Sequence, residues 1–169
     1  MRRLLDDAFA HHVWATLRLI DACLSLAPAP LETTVPGTYG SIINTMRHLV
    51  GADCFYLFVL TDGRVSEIDE ERMDLGDLQA AMESNGASWA QLLREALDAD
   101  VEIREVDEDD GFEKLAPVGI RLAQALHHGT DHRSQICTAL TTLGVEPPAI
   151  DAWDFGLDDG RVVEIPPTS

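Results

Sequence analysis

His128 and His132 stand four residues apart in the stretch Leu126-His127-His128-Gly129-Thr130-Asp131-His132-Arg133-Ser134-Gln135-Ile136. On a helix that spacing stacks both imidazoles on one face, about 6 Å apart along the axis. From there two ring nitrogens can converge on one metal ion at about 2.0–2.1 Å each. A third imidazole, His48, lies in a separate apolar stretch with Thr45 and Ala52 one turn either side, small enough to let the ring reach a partner helix. Three neutral nitrogens from two helices suit a divalent ion such as zinc or nickel and leave positions open for water or a substrate atom. An open position lowers the pKa of bound water, or ionises a thiol, and either gives a nucleophile at neutral pH. The competing reading is a pair of histidines on a solvated helix face, which has the same spacing. Gly129 follows His128, so the HExxH variant with its built-in glutamate base is absent. Asp131 falls on the wrong side of the helix to join the pair. Arg133 and Gln135 read as exposed helix residues, with a place behind the site or facing a substrate as the alternative.

Four amphipathic segments must position these groups. Leu5, Phe9, Val13, Leu17, Ile20 and Leu24 repeat at three and four residues and predict a helix over 4–26, stopped by Ala27-Pro28-Ala29-Pro30. His12 lies beside that stripe, where it reads as a hydrogen-bonded core residue or as a group reaching a core site. Ser41 is the expected N-cap of a second helix that carries His48 and stops at Asp62-Gly63. An acidic loop over 64–74 precedes a third helix over 75–98, with Gly86 as a candidate kink. Val101 to Arg104 alternates as a short strand, and Phe112 to Leu115 is the expected return strand of a hairpin. The turn Asp107-Glu108-Asp109-Asp110-Gly111 lacks EF-hand spacing and reads as a solvated loop. The fourth helix follows Pro117, carries His128 and His132, and ends before Gly144. In the tail, Trp153 and Phe155 are expected to dock on the bundle and Val162 to Ile165 to add a strand. The fold class is therefore all-α: a four-helix bundle with a small β-hairpin between the third and fourth helices, in one domain spanning 1–169. Such bundles build metal sites from side chains on facing helices.

Thirty acidic residues against twelve basic ones give a net charge of −18, a field that repels phosphate backbones and anionic lipid. The expected partner is a small molecule, with neither nucleic acid nor membrane. Cys23, Cys54 and Cys137 are odd in number and form no CxxC pair, so they read as buried small hydrophobes in a reducing, cytoplasmic setting.

The segment around His128 and His132, followed by Leu143-Gly144-Val145-Glu146-Pro147-Pro148, resembles the DinB-like (YfiT-type) metalloenzymes, whose fourth helix reads N-H-G-T-x-H-R-G-Q and then L-G-x-x-P-P. Gly40-Ser41-Ile42-Ile43-Asn44-Thr45-Met46-Arg47-His48-Leu49 resembles their second-helix pattern, G-S-I-x-x-T-x-x-H-L, and Trp14 sits where their first helix often has tryptophan. Two positions depart from the pattern: His127 replaces Asn, and Ser134 replaces Gly. The resemblance implies up-down-down-up connection and assigns metal-ligand roles to His48, His128 and His132. It also implies a homodimer and a reaction of the kind known among relatives, transfer or isomerisation dependent on a low-molecular-weight thiol. A metal-dependent hydrolase and a non-catalytic, metal-stabilised binding bundle are the alternatives.

Overall fold

The computed structural model describes residues 3–106 and 111–167. Its long helices are α1 (Asp6–Leu24), α3 (Ile42–Leu60), α4 (Leu75–Leu92) and α5 (Val118–Thr142). Two short helices, α2 (Pro28–Leu31) and α6 (Ala152–Asp158), and an antiparallel hairpin of β1 (Glu102–Val106) and β2 (Glu113–Pro117) complete it. Among the described residues no helix is long and apolar enough to cross a membrane. The acidic turn at 107–110 lies outside the described residues.

Local chemistry sets most helix ends. The Ser41 hydroxyl accepts from the Asn44 backbone N–H at 3.3 Å and starts α3. Asp74 and Asp77 form a reciprocal capping box at the start of α4. Gly144, at φ +74°, reverses the chain after α5, and Val145 N–H returns to Leu140 C=O at 3.0 Å. The end of α4 is different. The expected helix over 75–98 stops at Leu92 because the Arg3 guanidinium takes the carbonyls of Leu93, Arg94 and Glu95, which a continuing helix would pair internally. Gly86 marks no break either, since α4 runs through it unbroken. A Cβ there would come 2.9 Å from Val13 Cγ1, so the glycine lets α1 approach.

Side-chain pairs fix the directions of the helices. Phe9 meets Trp89 and Asp21 meets Gln79, so α1 and α4 are antiparallel. His48 meets His128 and Tyr56 meets Gln124, so α3 and α5 are antiparallel. Asp53 bonds both Asn85 and Trp89 across α3 and α4. Met46 shares one apolar cluster with Leu78, and Leu57 shares the other with Leu92, so these helices lie parallel and need the long connection over 61–74. This is the up-down-down-up bundle.

Two apolar clusters fill the interior. One holds Leu19, Ile20, Met46, Leu49, Met82 and Leu140, the other Phe9, Leu57, Trp89, Leu92 and Leu122. On every long helix at least one buried polar residue falls between them in sequence: His12 and Thr16, Asp53, Asn85, Arg133. The bundle therefore has a polar layer across its middle.

The tail departs from expectation. Phe155 docks, with its ring 5.6 Å from Trp14 and 5.9 Å from His11. Trp153 is 73% exposed, because residues two apart on a helix point in nearly opposite directions and only one can face the bundle. Val162 to Ile165 forms no strand. The N–H groups of Arg161 and Val162 turn back to the Gly156 carbonyl, both at 2.8 Å, and among the described residues no neighbouring strand offers a ladder.

Candidate metal centre

His48 comes from the second turn of α3, and His128 and His132 from successive turns of α5. The antiparallel packing of these helices brings the rings together. His128 Nε2 lies 3.1 Å from His48 Nε2 and 3.1 Å from His132 Nε2. The three ligand atoms all fall within 4.8 Å of one another, a set that can hold a metal ion. Two nitrogens bound tetrahedrally at zinc distance are about 3.3 Å apart, so the spacing fits without rearrangement of the backbone.

The surroundings decide which ring nitrogen is free. Gln135 Oε1 is an acceptor, and it takes the Tyr39 backbone N–H at 2.9 Å and His132 Nδ1 at 3.1 Å. His132 must then carry its proton on Nδ1, which leaves the Nε2 lone pair facing the triad. On His48, the Glu70 carboxylate stands 3.8 Å from Nδ1 and favours the same tautomer. Lone pairs brought this close repel unless a proton or a cation lies among them. Burial, then the charges of His132 and His48, push His128 down to about 4. Burial also lowers His132, opposed by its bond to Gln135. Both rings are neutral at pH 7, as metal ligation requires.

Neighbours hold the rings in place. Tyr39 stacks on His48 with centroids 4.1 Å apart and planes 7° from parallel, and it meets His132 edge-on. Glu70 rests directly on Gly51, one turn beyond His48. A Cβ at Gly51 would fall 1.4 Å from Glu70 Oε2, so the absence of that side chain is what seats the carboxylate. A cleft of about 650 Å³ opens from His48 and His128 between α3 and α5, walled by Phe55, Tyr56, Gln124 and Arg121.

His12 does not join the triad. It is buried, and its Nε2–H donates to Asp53 Oδ1 at 2.9 Å. Its Nδ1 accepts from Arg133 Nη1 at 2.9 Å, so the ring is neutral and bridges a cation to an anion. Asp53 also accepts from Asn85 Nδ2 at 2.9 Å and from Trp89 Nε1 at 3.0 and 3.1 Å. Burial lowers Arg133 to about 10, opposed by Asp53, and it remains a cation at neutral pH. This corrects the sequence expectation for α5: Arg133 is 3% exposed and part of the core, and Gln135 is half-buried against a site histidine. The departures His127 and Ser134 both face solvent, away from the triad, as does Asp131.

Sequence reasoning missed Tyr39, Glu70 and the Asp53 network. Gln135 carried a readable signal, since it sits three residues after His132 on the same helix. Tyr39 and Glu70 lie on connections and carried none.

The model of the DinB family matches residues 1–157. No curated protein matches the chain.

Proposed function

Because this chain belongs to the DinB family, we propose that it is a divalent-metal-dependent enzyme that transfers a low-molecular-weight thiol to a small electrophile. The observation that carries the reading is the convergence of three imidazole nitrogens, 3.1 Å apart in two pairs, at the inner end of a ligand-sized cleft. His48, His128 and His132 would hold the ion, zinc or nickel being the best match to three neutral nitrogens. When bound there, such an ion supplies the charge that ionises a thiol at neutral pH.

The chain's own residues do the rest. Gln135 and Glu70 orient the rings so that lone pairs face inward. Tyr39 covers His48 and His132 from one side and limits water on that face. Phe55 and Tyr56 offer an apolar wall to the acceptor molecule. The protein's own cysteines are poor substitutes for an external thiol: burial pushes Cys23 and Cys54 up to about 11, and neither lines the cleft. The proposal takes the protein as a cytoplasmic homodimer acting on a small molecule, with no nucleic-acid or membrane partner.

The test is elemental analysis of tag-free protein, wild type beside His48→Ala, followed by thiol consumption with a generic electrophile. About one equivalent of a divalent ion in wild type only, with thiol loss that stops on chelation, supports the reading. Turnover of esters without any thiol would make the enzyme a hydrolase. A metal-loaded protein that turns over neither class would leave a binding bundle.

A further inference from the structure

A second cavity, of about 510 Å³, lies between α1, α5 and α6. Its α5 wall is Leu126, Thr130 and Arg133, spaced by four and three residues on one face of the helix. His128 and His132 fall about half a turn away at about 100° per residue, so α5 stands between this cavity and the triad. The volume suits a small molecule. Apolar walls with a few converging polar groups are the usual make-up of a ligand site.

The polar floor offers a donor and lacks an acceptor. Arg133 lines the cavity and is only 3% exposed. Its Nη1 donates to His12 Nδ1 at 2.9 Å and to Thr16 Oγ1 at 3.2 Å, with His12 C=O at 3.4 Å. Its Nη2 donates to Thr130 Oγ1 at 3.1 Å. A guanidinium carries five N–H groups. The Nε–H and one N–H of Nη2 are left without an acceptor among the described residues, and Nε is not sealed from open space as the unpaired Arg121 Nε is. The neighbours cannot answer it. His12 has both ring nitrogens engaged, one with Asp53 and one with Arg133 itself. Thr130 Oγ1 already accepts from Arg133 and donates its own proton to Leu126 C=O at 2.9 Å. Donors this deep are nearly always paired, so a free one on a cavity wall calls for an acceptor from a ligand.

Charge points to an uncharged ligand. Asp53 answers Arg133 through His12, and Asp7 bonds Arg161 at the rim. Burial lowers His11, opposed by its bond to Ile150 C=O, so it adds no charge at neutral pH. The net charge of −18 opposes an anion. The walls favour an aromatic body. Phe155 and Trp153 both line the cavity, and Trp153 is left 73% exposed. A flat ring entering beside Phe155 would cover part of that indole.

We propose that this cavity is a second small-molecule site, which binds an uncharged aromatic compound whose carbonyl oxygen accepts from Arg133. It depends neither on the metal nor on thiol transfer.

The test is a nuclear magnetic resonance titration of isotope-labelled full-length protein, with the indole and Arg133 Nε–H signals assigned through bonds. The probes are 2-naphthamide, 2-isopropenylnaphthalene, which has the same shape and no acceptor, and the anion 2-naphthoate. The amide should shift the Trp153 indole signal, move the Arg133 Nε–H signal downfield and bind about tenfold more tightly than the hydrocarbon. The naphthoate should bind more weakly than the amide. Trp153→Ala, at an exposed side chain, should weaken binding of the amide and keep the wild-type melting temperature. Equal affinity for amide and hydrocarbon, an unmoved Arg133 signal, or shifts centred on His48 and His128 overturn the proposal. Tighter binding of the naphthoate overturns it too, since the site would then select an anion.

Discussion

The Cβ that Gly129 lacks would stand 2.4 Å from Cε1 and 2.6 Å from Nδ1 of His12. The imidazole lies flush against the backbone of α5, and Arg133 Nη1 reaches it there. Gly129→Ala sets two effects against each other. Helix propensity favours alanine by about 1 kcal/mol. The clash forces the ring away from a packed position and disturbs the buried chain from Arg133 to Asp53, at a cost of about 3 kcal/mol. The variant should be less stable by about 2 kcal/mol, read as a lower midpoint in urea. A midpoint at or above wild type would mean that the polar layer yields easily.

Asp53 faces the buried Arg133 through His12, and it accepts from residues on α1 and α4. Asp53→Ala leaves the guanidinium buried without its counter-charge. We predict a loss of about 3–5 kcal/mol. Asp53→Asn keeps an acceptor and should lose less. The comparison is made by chemical denaturation of both variants beside wild type.

Glu70 is expected to set metal affinity without binding the ion itself. Glu70→Gln removes the charge beside His48 Nδ1 and should weaken zinc binding by about tenfold or more, measured by competition with a chromophoric chelator. Gly51→Ala should have a similar effect by unseating the carboxylate, while leaving Glu70 in the chain. Unchanged affinity in both variants would remove Glu70 from the site.

The depressed pKa of His128 gives the metal-free protein a defined pH response. The group falls from 6.5 when unfolded to about 4 when folded, so between these values the unfolded chain binds the proton more readily. The stability tied to neutral His128 is whole above pH 6.5 and drains away as the pH drops toward 4. Bound metal should be released on acidification as protons compete for the same nitrogens. In His128→Asn the corresponding part of the acid-induced loss should vanish, as read from thermal melts at pH 7 and pH 5. An identical pH dependence in the variant would show that His128 titrates normally.

The sequence by itself determined what depends on residues close together in the chain. The four-residue spacing of His128 and His132 put both rings on one face before any packing was known. Ser41 and Gly144 marked helix ends through backbone bonds made within a few residues, and the apolar periodicity gave four long helices and the hairpin. Tertiary structure alone decided the contacts that cross elements. Arg133 looks like a surface residue in a helical pattern, and it is buried only because His12 and Thr16 on α1 offer it acceptors. The end of α4 depends on Arg3, roughly ninety residues earlier. Glu70 sits on a connection with no periodicity, and its place beside His48 follows from the space above Gly51. Periodicity records which face of a helix is apolar. Which partner fills that face is fixed only when the helices pack, because the hydrogen bonds and voids concerned are shared between segments far apart in the chain.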